Sequence, residues 1–311
     1  MVRGLPAYPV RRMQTVLERL PDHARIAVIR LRSLGDCVLT TPALDILKQS
    51  RPDLRVAVVV EDRFAPVFEG NDSVAALIPP SIPALREWQP RLCLNLHGGS
   101  RSAALTAASG ARIRAGFAHY RIQLPYTVKI PRAQEILNVD RVVHTAEHLA
   151  SAIFYLGARS TQIPRARLSG VTRANSKPYA VIHPIASQPA KTWPAARFLE
   201  VAAYLDMEPV FIAGPGEDLS AFRKYRTLAG APLTEIKNLL ANASLFVGND
   251  SGPAHMAAAF GLPVVVLFGS SNVDVWRPWK TSSEVLSSPD GIASISAERV
   301  LAALARLRVP A

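Results

Sequence analysis

The chain has 311 residues, of which 49% are hydrophobic and 19% charged, enough apolar side chains to fill about two domain cores. Its two cysteines, Cys37 and Cys93, exclude a disulfide scaffold and a thiolate zinc site, and they fit a reducing compartment. No apolar run approaches the roughly 18 residues of a membrane span. The first 25 residues also lack the continuous apolar core of a secretory signal. We therefore expect a cytoplasmic protein of two domains.

Positive charge is concentrated in the N-terminal half. The net charge is +12, of which residues 1–170 carry +10 and residues 171–311 carry +2. A basic half favours an anionic partner, such as a nucleic acid, a phosphorylated lipid or a phosphorylated glycan. The alternative is that arginine simply keeps the surface soluble. Because the basic residues are scattered, without a dense run or an aromatic-interleaved RNA motif, we expect no nucleic-acid partner.

Short β-branched runs alternate with helical stretches from residue 25 onward, which is typical of βαβ units with both sheet faces covered. The predicted elements of this half are strands at 25–31, 55–60, 74–78, 91–96 and 112–117, and helices at 41–50 and 141–156. Before them, residues 9–20 have the pattern of an amphipathic helix. Such a helix either packs on the first domain or contacts a membrane surface.

A polar, proline-broken segment at 159–178 is typical of an interdomain linker, and the alternation restarts after it. The predicted elements are strands at 179–183, 209–213, 245–248 and 264–268, and helices at 194–206, 253–260 and 297–308, with two more helices between 217 and 242. The pattern predicts an α/β fold of two doubly wound, Rossmann-like domains, 1–170 and 171–311, that face each other across a cleft. We expect the last helix to pack back on the N-terminal domain.

The most informative motif follows the strand at 245–248. Asp250, Ser251 and Gly252 form a short strand-to-helix turn, whose free N–H groups and helix dipole favour a bound phosphate. Helix capping would explain Asp250 and Ser251 alone. It does not explain His255 in the first turn of the helix. The motif therefore predicts an anion site at this turn.

Two further turns lie at the carboxyl ends of strands in the same half. Lys191, in the loop at 183–194, is positioned to meet a diphosphate, although a lone loop lysine is usually a solvated charge. Glu217, in the turn at 213–218, is a candidate for binding a ribose hydroxyl. Its alternative role is that of an acidic residue at a helix N-terminus.

In the other half, Asp36 ends the sequence Arg-Ser-Leu-Gly-Asp after the first strand. It is either a general base that faces the cleft or a helix cap. The segment is neither a dinucleotide fingerprint nor a Walker A loop, so neither NAD nor P-loop chemistry is supported. The chain also lacks a D-x-D pair, H-E-x-x-H and G-x-S-x-G. We therefore expect a mechanism that uses no metal and no organic cofactor.

Taken together, these segments resemble glycosyltransferase family 9, the heptosyltransferase family of lipopolysaccharide core synthesis, which has the GT-B fold. The resemblance runs from about residue 25 to residue 280 and includes the segments 95–102 and 144–148. The chain departs from the family pattern at Ile185, where the family usually has glycine after His-Pro. A second departure is the extra stretch of 24 residues at the N-terminus.

The resemblance implies transfer of heptose from ADP-heptose to an inner-core sugar hydroxyl, with inversion at the anomeric carbon. It implies that Asp36 is the catalytic base and that the donor is bound by Lys191, Ser187, Glu217, Asp250, Ser251, Gly252 and His255. It further implies that the acceptor is bound by Arg32, Ser33, His97 and Arg101 of the N-terminal domain. That acceptor, a phosphorylated lipid-linked glycan, fits the net +10 of this half and would bring the protein into peripheral contact with the inner membrane. The alternatives are another nucleotide sugar, another glycan acceptor, or a nucleotide-binding relative that has lost transfer.

Overall fold

The computed structural model describes residues 14–172 and 177–307, and it contains two parallel six-stranded sheets. The strands of the first sheet are β1 (Arg25–Ile29), β2 (Arg55–Val59), β3 (Ala76–Ile78), β4 (Leu92–Asn95), β5 (Ile113–Phe117) and β6 (Val128–Ile130). Its helices are α1 (Leu34–Ser50), α2 (Ile82–Trp88), α3 (Ser100–Ala108), α4 (Ala133–Leu137) and α5 (Thr145–Leu156). The strand order is β3-β2-β1-β4-β5-β6.

The second sheet repeats this plan. Its strands are β7 (Tyr179–His183), β8 (Glu208–Ala213), β9 (Arg226–Ala229), β10 (Leu245–Asn249), β11 (Val264–Leu267) and β12 (Ser283–Leu286). Its helices are α6 (Ala195–Tyr204), α7 (Leu233–Ala241), α8 (Gly252–Phe260), α9 (Val273–Trp276) and α10 (Ala297–Arg306). The order β12-β11-β10-β7-β8-β9 is the doubly wound order of the first sheet read from the other edge. Both domains are therefore Rossmann-like, as predicted.

Each sheet reverses its winding between two central strands, β1 and β4 in the first and β7 and β10 in the second. In doubly wound folds, ligands bind beyond the carboxyl ends of such a strand pair. Helix α1 leaves β1 and helix α8 leaves β10 at these positions, and the two helices pack on each other across the domain boundary. The apolar core is consequently continuous between the domains and includes Leu39 and Leu44 of α1 and Met256 of α8.

Helix α1 begins at Leu34, seven residues before the predicted start at 41. Pro42, the second residue of the predicted helix, lies in the interior of α1. Proline cannot donate to the carbonyl four residues earlier. The hydroxyl of Thr41 donates to that carbonyl, Val38 O, at 2.9 Å, so the proline leaves no unpaired acceptor there.

Three short strands, β6, β9 and β12, were not predicted, and two of the sequence interpretations were wrong. The region 217–242 holds one 3-10 turn, strand β9 and helix α7 instead of two helices. Helix α10 packs on α6 and on β11 and β12 of its own domain, not on the N-terminal domain. The physical reason is its apolar stripe, because Val300, Ala303 and Leu304 are buried in the C-terminal core.

The predicted helix at 9–20 lies partly outside the described residues, and the described part, from residue 14, forms turns. Val16, Leu17 and Leu20 are buried in the N-terminal core, and Leu17 N donates to Leu156 O at 2.9 Å. This part of the segment therefore packs on the first domain, which was one of the two predicted alternatives for the helix at 9–20. In the described ranges no helix combines the length and the apolar character that crossing a bilayer requires.

Candidate functional site

Asp36 is the third residue of α1, at the carboxyl end of β1. Ser33 Oγ donates to its Oδ2 at 2.9 Å, and its Oδ1 lies 3.5 Å from Arg30 Nη1. A quarter of the side chain is exposed. The residue that caps α1 is Ser33, which makes no side-chain capping bond. Asp36 is therefore not the helix cap, and its carboxylate is held between a hydroxyl and a guanidinium.

Arg30, which sequence reasoning did not single out, is a buried cation behind Asp36. Only 4% of the residue is exposed, and its Nη2 donates to Leu96 O on the neighbouring strand end. Its Nε is buried without a hydrogen-bond partner. A buried charge is costly unless it is paired, so Arg30 and Asp36 stabilise each other. The sequence feature that could have identified Arg30 is its charge at the end of an otherwise apolar run.

His97 follows β4, beside Asp36. The fully buried Asn95 shapes this turn, because its Oδ1 accepts from His97 N at 2.9 Å and from Gly98 N at 3.1 Å. Burial and the charge of Arg30 lower the pKa of His97, and its Nδ1 is buried without a hydrogen-bond partner. The imidazole is therefore neutral near pH 7.

The other predicted acceptor residues lie around this turn and differ in the contacts that their side chains make. Arg32 and Ser33 are exposed between β1 and α1. Arg101 is exposed but engaged, since its guanidinium lies 3.4 Å from Glu61 Oε1 and donates to Pro80 O at 3.3 Å. The structure thus brings Arg32, Ser33 and His97 together near Asp36 and ties Arg101 to Glu61.

On the opposite wall, the turn after β10 is joined to the Lys191 loop by Asn249, a residue that sequence reasoning missed. Its buried Oδ1 accepts from Trp193 N at 3.0 Å and its Nδ2 donates to Pro184 O at 2.9 Å. This link brings Lys191 Nζ to 3.6 Å from Asp250 Oδ2. The lysine and the start of α8 therefore lie on one edge of the cleft. Asn249 directly precedes the Asp-Ser-Gly turn, and this position is the only sequence feature that could have identified it.

Ser251 directly precedes α8 and makes no side-chain capping bond, and its hydroxyl lies 3.0 Å from His183 Nδ1. Burial lowers the pKa of His183 to about 4, so this partner is neutral. His255 is buried in the first turn of α8. Burial lowers its pKa, and the negative charges of Asp250 and Asp36 offset only part of this effect. Its Nδ1 is buried without a hydrogen-bond partner. His255 thus lies near the carboxylates of both walls.

Two residues of the loop after β7 differ in their surroundings. Ser187 is exposed, and within the described ranges its side chain makes no hydrogen bond. Ile185, which replaces the glycine of the family pattern, is half-buried and packs on the C-terminal core. Its bulk is accommodated there.

A cavity of about 600 Å³ lies between the domains and reaches the same turn through His183 and Pro253. Its walls include Phe64 of the N-terminal domain and Ile212 and Leu233 of the C-terminal domain. Glu217 lines it as well, with one carboxylate oxygen accepting from Gly214 N at 2.6 Å. Apolar walls with a few polar groups are typical of sites for a flat, partly polar ligand such as a nucleoside.

The arrangement supplies two chemical functions on facing walls. Lys191 and the N–H groups at the start of α8 have the charge that could stabilise an anion, and Asp36 and neutral His97 have the chemistry of proton acceptors. Among the described residues, no three His, Cys, Asp or Glu side chains are grouped so that they could hold a metal ion.

Comparison with known proteins shows which family the chain belongs to. The family described as glycosyltransferase family 9 (heptosyltransferase) matches residues 82–301. A lipopolysaccharide heptosyltransferase 3 of Escherichia coli is 28% identical over 81% of this chain and 85% of its own length.

Two solved structures show the same fold. A glycosyl transferase family 9 protein of Veillonella parvula has a TM-score of 0.81 at 23% identity, over 93% of this chain and 98% of that one. The E. coli ADP-heptose lps heptosyltransferase II has a TM-score of 0.76 at 22% identity, over 91% of this chain and 98% of that one. The predicted GT-B fold is therefore confirmed.

Proposed function

The chain belongs to glycosyltransferase family 9, and we propose that it transfers heptose from ADP-heptose to a sugar hydroxyl of the lipopolysaccharide inner core, with inversion. The observation that carries this proposal is the position of Asp36 opposite Lys191 and the start of α8, on facing walls of one cleft. The names of its relatives support the substrates, since they include lipopolysaccharide heptosyltransferases and an ADP-heptose enzyme.

In the donor complex, the adenosine occupies the cavity between the domains and Glu217 binds a ribose hydroxyl. The diphosphate lies between Lys191 and the N–H groups at 251–252, where the dipole of α8 adds to the charge of the lysine. Ser187 is close enough along the loop to join these contacts, and Asp250 and His255 border the sugar. The support for this pose is the convergence of the cavity, Lys191 and the α8 turn on one edge.

The reaction is a single displacement. The acceptor oxygen forms a bond to the anomeric carbon from the face opposite ADP, while the bond from that carbon to the diphosphate oxygen breaks. The hydroxyl proton passes to Asp36, and Lys191 and the amides stabilise the charge that develops on ADP. An aspartate is a weak base, and it suffices when the proton moves late, after the sugar has gained oxocarbenium character. Arg30 and Ser33 orient the carboxylate.

The acceptor, a phosphorylated lipid-linked glycan, lies on the N-terminal side near Arg32, Ser33 and His97. The net +10 of residues 1–170 attracts its phosphates. Arg101 contributes by exchanging its contact with Glu61 for an acceptor phosphate. We further propose that the transfer requires no metal, because Lys191 and the α8 N-terminus already neutralise the leaving diphosphate.

The deciding experiment is a transfer assay with purified protein, ADP-heptose and a heptose-deficient core acceptor. Mass spectrometry should show one added heptose, and NMR of the product should show the inverted anomeric configuration. Transfer only from a different nucleotide sugar, or only to a different glycan, would assign the alternative substrates. Donor binding without any transfer or hydrolysis would identify a relative that has lost catalysis. The joint presence of Asp36, Lys191, Asp250 and His255 argues against that outcome.

A further inference from the structure

One part of the N-terminal domain carries positive charge and no negative charge. Residues 88–134 contain seven lysines and arginines and no aspartate or glutamate. This stretch forms β4, α3, β5, β6 and the loops that join them. The stretch therefore carries a net charge of +7, and such an excess of positive charge attracts an extended anionic partner.

A groove of about 640 Å³ marks this surface at the amino ends of β4 and β5. Arg86, Arg91 and Arg112 line it, and no acidic residue does. Within the described ranges, the guanidinium groups of Arg91 and Arg112 make no hydrogen bond and no ion pair. Both side chains are exposed, so they are available to bind anions from outside the protein.

The loop between β5 and β6 adds an apolar tip to the groove. Leu124 is 97% exposed and Ile122 is 38% exposed, and Arg121 precedes them. The loop is anchored from below, because the hydroxyl of the buried Tyr126 accepts from Asn95 Nδ2 at 2.9 Å. A fully exposed leucine on an anchored loop gains nothing in water, and it gains free energy only when a partner covers it.

Arg114 joins the tip to the groove. Its Nε donates to Pro125 O at 2.7 Å and its Nη1 donates to Ala111 O at 2.9 Å. The same loop begins beside the proposed acceptor site, since a Cβ on Gly98 would lie 2.6 Å from Tyr120 Cε1. The loop therefore runs from the acceptor side of the cleft to the amino ends of the strands, where the tip adjoins the groove.

We propose that this surface, formed by Arg86, Arg91, Arg112, Arg121, Ile122 and Leu124, docks on a bilayer of anionic phospholipid. The arginines bind lipid phosphates, and Ile122 and Leu124 enter the headgroup region. A single-stranded nucleic acid would need aromatic side chains for base stacking, whereas the exposed tip is aliphatic. The proposal rests on the proposed function only in that a lipid-linked acceptor gives membrane docking a purpose.

The test is flotation of the purified protein with vesicles of phosphatidylethanolamine and phosphatidylglycerol, against vesicles of phosphatidylcholine alone. We expect binding to the anionic vesicles that weakens with salt. Arg112→Glu with Arg121→Glu should weaken it at least tenfold, since each cation near an anionic surface contributes about fivefold. Ile122→Ser with Leu124→Ser should weaken it about threefold to tenfold.

The matched controls lie elsewhere on the surface. Arg159→Glu with Arg223→Glu reverses two exposed charges, and Tyr204→Ser removes an apolar side chain that is 62% exposed. Both controls should bind vesicles like the parent protein. Equal losses in the controls, or equal binding to phosphatidylcholine, would overturn the proposal. Binding of a DNA oligonucleotide that the arginine pair abolishes, without vesicle binding, would assign the surface to nucleic acid instead.

A second arm separates this proposal from the proposed function. With a delipidated, water-soluble acceptor, all four variants should transfer heptose at the parent rate. If the parent transfers nothing to any acceptor, the proposed function fails, and the vesicle result still decides the docking surface.

Discussion

Gly35 of α1 lies directly against the imidazole of His255 of α8, so that a Cβ on Gly35 would come within 2.6 Å of His255 Cδ2. The two proposed walls of the site therefore touch at this point, and a residue without a side chain is required there. At the adjacent contact, a Cβ on Gly252 would lie 2.6 Å from Leu34 Cδ2. The glycines of both motifs allow the two helix starts to approach closely.

Gly35→Ala should lower turnover at least tenfold and should also lower the melting temperature. Alanine usually stabilises a helix by about 1 kcal/mol relative to glycine, so a loss here would report the clash with His255. Steady-state transfer and thermal denaturation measure the two effects. In a His255→Ala background the same substitution should not lower the melting temperature. A stabilised and fully active Gly35→Ala protein would contradict the contact.

Lys191→Ala should weaken the binding of ADP by one to two decades. A charge-assisted hydrogen bond contributes about 1.5–3 kcal/mol, which corresponds to this range. Isothermal calorimetry with ADP measures the change, and Lys224→Ala, an exposed lysine of the same domain, serves as the control. Unchanged affinity in Lys191→Ala would show that the lysine is a solvated surface charge.

Asp36→Asn should lower turnover by about 10²–10⁴-fold, because the amide keeps the shape of the side chain and cannot accept the proton. The affinity for ADP should barely change, since the donor lies on the other wall. Single-turnover kinetics and calorimetry separate the two quantities. Near-normal turnover in the variant would direct the search for the base to His97.

Transfer should survive EDTA. The proposed site neutralises the leaving diphosphate with Lys191 and backbone N–H groups, so a chelator should leave the rate within about twofold. The assay is run with and without added divalent ions after dialysis against the chelator. Complete loss of transfer that metal restores would refute the metal-free mechanism.

The free energy of unfolding should fall as the pH drops from about 6.5 to about 4. Burial lowers the pKa of His144, His148 and His183 to about 4 from the ordinary 6.5. In this window the unfolded chain therefore binds protons that the folded chain does not, and the stability present above pH 6.5 is lost on acidification. Each histidine contributes roughly 3 kcal/mol by this linkage. Urea unfolding at several pH values measures the slope, which His148→Gln should reduce, and a flat profile would contradict the burial.

The sequence was sufficient to predict the fold and to place the candidate residues after strands, because the motifs directly follow strands that alternate regularly with helices. Asp36, Lys191 and the turn at 250–252 all lie at such ends, where parallel strands bring their loops to one edge. The edge strands β6, β9 and β12 escaped prediction, since each has only three or four residues and is partly exposed.

The residues that organise the site could not be predicted, because their roles depend on tertiary contacts. Arg30 directly follows β1, and its role depends on the approach of Asp36 and Leu96 O. Asn249 holds two points of the Lys191 loop, which lie 56 and 65 residues earlier in the chain. Arg101 was expected to bind the acceptor. Its contact with Glu61, 40 residues earlier, could not be predicted from the sequence around either residue.

The core that runs through α1 and α8 has a thermodynamic consequence. Lys237 of α7 extends this connection, because its buried ammonium donates to Pro66 O of the N-terminal domain at 2.6 Å. Loss of either domain would expose apolar surface of the other, so the two should unfold in one cooperative transition. A nucleotide that binds to the second domain would then protect the backbone amides of the first sheet from hydrogen exchange, although it makes no contact with them.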